Sequence, residues 1–137
     1  MIDSGSEPTI ANCKEAFPGH DIIPSAGSKS GLKYTAASGD KVPNMGECHV
    51  VHRDPVQGDF PFCFQHAPVH LPIISVKDLV TVGCRVGFGQ GGGWIKYPDG
   101  RKLRFTQRHG SFFILLDLLP PGAKDVFGRD FHRPGKP

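Results

Sequence analysis

The sequence predicts one all-β domain assembled from short hairpins, and three observations carry that expectation. Turn-forming residues punctuate the whole chain, with 18 Gly and 13 Pro among 137 residues, well above the usual share. Between them stand compact runs of Val, Ile, Leu and Phe of strand length, which a disordered chain would lack. Apolar and polar residues alternate where a strand should be half-buried, as in Lys102-Leu103-Arg104-Phe105. The length fits one domain, small enough for a dimer interface to matter to its stability. That domain is expected over residues 1–119, with a flexible Pro/Gly-rich tail over 120–137.

The elements follow in order. Residues 9–17 are compatible with a short helix that Pro18-Gly19 stops, and residues 25–31 form a Gly/Ser loop. Residues 33–37 and 42–51 flank Ser38-Gly39-Asp40-Lys41 and make a hairpin on that turn. After a turn over residues 54–59, residues 60–65 resume an aromatic-rich strand. Pro72-Ile73-Ile74 ends a strand, and Ser75-Val76-Lys77-Asp78 is a capping box. In it the Ser75 hydroxyl caps the Asp78 N–H while the Asp78 carboxylate reaches back. Leu79, Val80 and Val82 continue this helix, and Gly83 ends it in the left-handed conformation. A strand over residues 84–88 turns through Gln90-Gly91-Gly92-Gly93 into Trp94-Ile95-Lys96-Tyr97. Pro98-Asp99-Gly100-Arg101 is a hairpin turn, and Leu103 and Phe105 mark the half-buried strand after it. Arg108-His109-Gly110 turns the chain into a last strand over residues 112–118, which Pro120-Pro121-Gly122 closes. The result is a meander with one main short helix and no internal repeat.

Charge and cysteine usage narrow the function classes. The net charge is +3, and a solvated surface accounts for it. Arg101, Lys102, Arg104 and Arg108 cluster, but a polar sheet face explains them better than a nucleic-acid patch, so no nucleic-acid partner is expected. Residues 112–119 are too short for a membrane span and are interrupted by Asp117. Cys13, Cys48, Cys63 and Cys84 lack regular spacing, and Met1-Ile2-Asp3-Ser4 opens no apolar leader. The expectation is a reduced, intracellular and cytoplasmic chain with free thiols.

Asp3-Ser4-Gly5 is the first candidate for chemistry. An aspartic protease needs two carboxylates close enough to share one proton, so that one activates water and the other donates to the scissile carbonyl. A hydroxyl after the Asp braces such a loop, and Gly lets the backbone turn tightly. The same tripeptide is also ordinary turn chemistry.

The order of the motifs favours the first meaning. The sequence resembles the retropepsin-like aspartic proteases, in particular the protease segment of long-terminal-repeat retrotransposon polyproteins. Ile2-Asp3-Ser4-Gly5-Ser6 is similar to their active-site loop, and residues 34–46 to the stretch through the flap. Pro72-Ile73-Ile74-Ser75 with residues 79–88 resembles their late strand, helix and strand, and Gly91-Gly92-Gly93-Trp94-Ile95 with Pro98-Asp99-Gly100 their following hairpins. The resemblance implies a small closed β-barrel and an aspartic endopeptidase that processes a polyprotein. It implies Asp3 as the catalytic residue, Ser4 and Gly5 shaping its loop, and Ala37, Ser38, Gly39 and Asp40 at the substrate-binding flap. A single Asp-Ser-Gly implies a homodimer whose two Asp3 residues complete the dyad on an extended polypeptide, with no cofactor or metal.

Two departures accompany the resemblance. Ser75 stands where many family members carry Gly. No sequence precedes Met1 to supply the strand that leads into the loop, so Asp3 is expected to lack an anchor on one side. The late strands, residues 69–118, are expected to stand without that segment. This favours a truncated, catalytically silent copy over an active one, and leaves a silent peptide-binding or dimerisation module as the rival.

Cys48, His49, His52, Cys63, His66 and His70 supply zinc-type ligands at Cys48-x3-His52 and Cys63-x2-His66. Strand alternation sends neighbours to opposite faces, so scattered His and small buried Cys is the simpler expectation and a small zinc-binding β domain the lesser one. Gly87-Phe88-Gly89-Gln90-Gly91-Gly92-Gly93 lacks the Gly-Lys-Ser/Thr of a phosphate loop and is expected to be a flexible hairpin turn.

Overall fold

A computed structural model describes residues 1–36 and 38–121. Ala37 and most of the expected tail at 120–137 lie outside the described residues. In chain order the elements are β1 (Ile2–Asp3), β2 (Ile10–Ala11), α1 (Cys13–Ala16), α2 (Ala26–Ser30), β3 (Lys33–Thr35), β4 (Lys41–Pro43), β5 (Glu47–Asp54) and β6 (Gly58–His66). There follow β7 (Ile74–Ser75), α3 (Val76–Thr81), β8 (Arg85–Gly89), β9 (Gly92–Lys96), β10 (Lys102–Arg108) and β11 (Ser111–Phe113). The chain is mostly β, as its turn pattern predicts. The strands form a curled, half-barrel sheet in the order β7-β1-β11-β10-β9-β8, a second sheet β2-β6-β5, and the β3-β4 hairpin. The described pairings of the large sheet run from β7 to β8 without closing a ring.

Of the three helices among the described residues, α1 falls in the helix-compatible stretch over 9–17 and α3 follows the Ser75 cap, while α2 was not expected. The Gly/Ser loop contains α2, because the Ser25 hydroxyl accepts from the Ser28 N–H at 3.0 Å and the Ser28 hydroxyl accepts from the Ser25 N–H at 2.8 Å. Gly31, at φ 71°, ends that helix. The strand expected over residues 42–51 is broken at Asn44-Met45-Gly46 into β4 and β5, which belong to different sheets. Gly46 makes the crossing: its φ is 124°, and a Cβ there would stand 2.6 Å from the Ile23 carbonyl oxygen. The strand expected over 112–118 is short; Leu118 instead bridges to His52.

The β5–β6 hairpin builds the floor of the core. Opposed residues in an antiparallel pair share a face, and the register sets Cys48, Val50 and His52 opposite Phe64, Phe62 and Phe60. That aromatic face packs with Ile2, Ile74, Ile95, Leu103 and Phe105 of the large sheet. The other face carries Glu47, His49, Gln65 and Cys63. The basic cluster is engaged in part: the Arg101 guanidinium lies 4.2 Å over the Phe60 ring and donates to the Asp59 carbonyl at 2.6 Å.

Candidate active site around Asp3

Ile2 is paired on both sides and Asp3 on one, so two residues of strand lead into the loop. Ile2 pairs antiparallel with Phe112 and parallel with Ile74, and Asp3 stands beside Ser75. The Ile74 N–H donates to the Met1 carbonyl at 2.7 Å. Among the described pairings β7 reaches the rest of the large sheet only through β1, while β8 to β11 pair with one another without it. The sequence hid the β1 pairings because the partners are far away along the chain and two residues carry no periodicity.

At the end of β1 the Asp3 carboxylate turns back on its own loop. Its Oδ1 accepts from the Gly5 N–H at 2.8 Å, and a Cβ on Gly5 would stand 3.3 Å from that oxygen. Only a small residue fits this turn without crowding the carboxylate. Asp3 and Ser4 border a cleft of about 410 Å³ whose apolar walls include Phe88 and Phe112. The two rings meet edge to face at 4.9 Å between centroids.

Ser75 ties this loop to α3. Its hydroxyl caps the Asp78 N–H at 3.2 Å, as the capping pattern predicts, and shares its own hydrogen between the carbonyls of Ser6 (2.7 Å) and Glu7 (3.0 Å). The second half of the expected box is not formed. The Asp78 carboxylate accepts from the Thr9 N–H at 2.8 Å, and the Ser75 N–H goes to the Thr9 hydroxyl at 3.0 Å. Four hydrogen bonds thus lock the segment after Asp3-Ser4-Gly5 onto the helix start. Ser75→Ala should therefore lower stability by about 2 kcal/mol, since a buried cap and the partner of two carbonyls vanish together. Urea unfolding measures it; a change under about 0.5 kcal/mol would show that water replaces the hydroxyl.

The hairpin of β3 and β4 carries the expected flap residues at its exposed tip, apart from Ala37. The Ser38 hydroxyl donates to the Asp40 carboxylate at 3.1 Å, and Gly39 takes φ 88°. No hydrogen bond among the described residues joins this tip to Asp3. The base of the hairpin is nearer: burial raises the Tyr34 phenol above its ordinary pKa, the Asn44 amide bond opposes that shift, and the Asp78 charge adds to it.

The six Cys and His candidates do not form one cluster. Cys48 lies against Cys13, sulfur to sulfur at 2.9 Å, in the core. His52 and His66 each accept a backbone N–H through Nδ1, from Asp117 at 2.7 Å and Cys13 at 3.0 Å. His70 is exposed. Only His49 and Cys63 meet, and Glu47, which ligand spacing alone did not single out, joins them. All four cysteines are free and buried. No helix of the described residues is long and apolar enough to cross a membrane.

Comparison of the chain with family models, curated proteins and solved structures gives no match.

Proposed function

We propose that the chain is an aspartic endopeptidase domain of the retropepsin kind, working as a homodimer in which Asp3 of each copy supplies half of the dyad. The observation that carries this reading is the placement of Asp3: it leaves the sheet beside Ser75, in a braced turn, at the mouth of an apolar cleft. On this reading the curled six-stranded sheet is the retropepsin barrel, and the exposed Ser38-Gly39-Asp40 tip is the flap over an extended polyprotein segment. One Asp3 carboxylate is ionised and takes a proton from water, whose oxygen attacks the scissile carbonyl carbon. The protonated Asp3 gives its proton to the carbonyl oxygen. Collapse of the diol then breaks the C–N bond: the departing nitrogen takes the proton held by the first carboxylate, and one diol hydroxyl returns its proton to the second, leaving a carboxylic acid and restoring the dyad.

Asp3→Asn should reduce inhibitor-sensitive cleavage of a peptide library by at least about 100-fold, since both proton transfers use this group. Specific activity should rise with protein concentration through the dimer range. It should peak in mild acid, because higher pH strips the shared proton. The acid limb has a separate cause. Burial holds the His66 imidazole below its ordinary pKa of 6.5, so its contribution to stability is complete above that value. It is lost as pH falls through the lowered one. Cleavage that survives Asp3→Asn sinks the proposal. A folded chain that binds peptides without cutting them supports the rival module, for which the open edge at β8 and exposed Phe88 offer a strand-addition surface.

A further inference from the structure

The polar face of the β5–β6 hairpin gathers three side chains of metal-binding chemistry. Glu47 and His49 alternate onto one face of β5, and the register places Cys63 of β6 opposite His49 and Gln65 opposite Glu47. One ligand atom each from Glu47, His49 and Cys63 lies within 4.8 Å of the others. Glu47 Oε2 is 2.7 Å from His49 Nε2, and Cys63 Sγ is 3.9 Å from that same nitrogen. A tetrahedral zinc with its usual bond lengths sets such atoms about 3.4–3.6 Å apart. The Glu47–His49 and His49–Cys63 pairs therefore need shifts below about 1 Å, within reach of side-chain rotation.

The shared nitrogen decides between two chemistries. A Cys–His–Glu relay needs thiol and carboxylate on opposite nitrogens of the ring, so that one positions the imidazole while the other exchanges a proton with it. Here both approach Nε2, and three donors converge on one point. The surrounding groups suit that point. Gln65 Nε2 faces Glu47 Oε1 at 3.4 Å and Cys63 Sγ at 3.9 Å, presenting donors to the two groups that are anionic as ligands. Its orientation is fixed from behind, because Gln65 Oε1 accepts from the Asn44 amide at 2.8 Å and Asn44 Oδ1 accepts from the Ser25 hydroxyl and the Gly46 N–H. Glu47 is 1% exposed, so its carboxylate is held in place among buried neighbours.

We propose that Glu47, His49 and Cys63 form a zinc site, with Gln65 holding the carboxylate and thiolate in place and the fourth position open to water. The ion's two positive charges balance one carboxylate and one thiolate, so the filled site is neutral. Binding releases the Cys63 thiol proton to solvent and leaves His49 neutral. The site is separate from Asp3 and stands whether or not the chain is a peptidase.

The test uses the untagged, zinc-stripped full chain, titrated with Zn²⁺ against a chromophoric chelator and with Co²⁺ as a spectroscopic stand-in. One equivalent of Zn²⁺ should bind, and the Co²⁺ form should show a thiolate charge-transfer band with a tetrahedral spectrum. Cys63→Ser and Glu47→Gln should each weaken Zn²⁺ binding by about tenfold or more, while the exposed His70→Asn leaves it unchanged. Circular dichroism checks that each variant folds; if one does not, the Co²⁺ band and zinc protection of Cys63 from alkylation in the unaltered chain decide. Binding well below one equivalent, a Co²⁺ complex without the thiolate band, or affinity unchanged in folded Cys63→Ser would overturn the proposal.

Discussion

Replacing Ile2 with Ala should destabilise the whole domain by about 3 kcal/mol, lowering the urea midpoint with little change in the slope. Ile2 is 3% exposed and sits between Ile74 on one side and Phe112 on the other, within the cluster that holds Ile95, Leu103 and Phe105. Truncation removes transferred apolar area and leaves a cavity whose walls are sheet backbone, which cannot collapse to fill it. The effect should reach beyond one contact, since β7 is attached to the large sheet through β1 alone. A loss below about 1 kcal/mol would mean that the late strands hold together without β1, as the sequence first suggests.

Gly93→Ala should be at least as damaging, about 3 kcal/mol or more, or should leave no folded protein to measure. A Cβ at Gly93 would fall on the Gly87 carbonyl oxygen and the Phe105 ring, and one at Gly92 on the Phe105 carbonyl. The two carbonyls are backbone atoms of β8 and β10, so relief requires the strands themselves to part. Gly91, in the turn two residues earlier, is the contrast. A Cβ there meets nothing within 4 Å, and only its φ of 81° opposes a side chain. Gly91→Ala should therefore cost about 1 kcal/mol. Thermal or urea unfolding of the two variants side by side reads the difference; equal losses would show that turn strain, and not crowding, governs this glycine run.

That contrast marks what the sequence carries. A glycine run announces that side chains are unwelcome without saying why. Gly87-Phe88-Gly89-Gln90-Gly91-Gly92-Gly93 was legible as a link between two strands. The turn occupies only Gln90 and Gly91, and Gly87, Gly92 and Gly93 serve close approach, as where Trp94 covers Gly87. Local signals fared best: the Ser75 cap, the Gly83 helix stop and the Asp99-Gly100 turn each depend on neighbours within four residues. The Asp78 carboxylate departed from its expected partner because Thr9, distant in sequence, brings a backbone N–H to it. For the candidate site, Asp3 and its tight turn were visible in three residues, while the pairing of Ile2 with Phe112 was not. The Glu47, His49 and Cys63 group needed the cross-strand register, since alternation within β5 says which residues share a face but not what lies opposite.

The strand order of the large sheet also sets a timetable. Of its six strands β1 is made first, yet Ile2 is held on both sides only when Phe112 exists. At the usual 5–20 residues per second a ribosome needs roughly 5–20 s to cover that distance. Until then β1 and β7 have only each other, with no β11 to join them to the rest of the sheet. The β5–β6 hairpin has no such wait, because its strands are separated by a short turn and can pair as they emerge. The aromatic floor is thus in place early, and the sheet that bears Asp3 is assembled from two chain-distant segments only after Phe112 has been made.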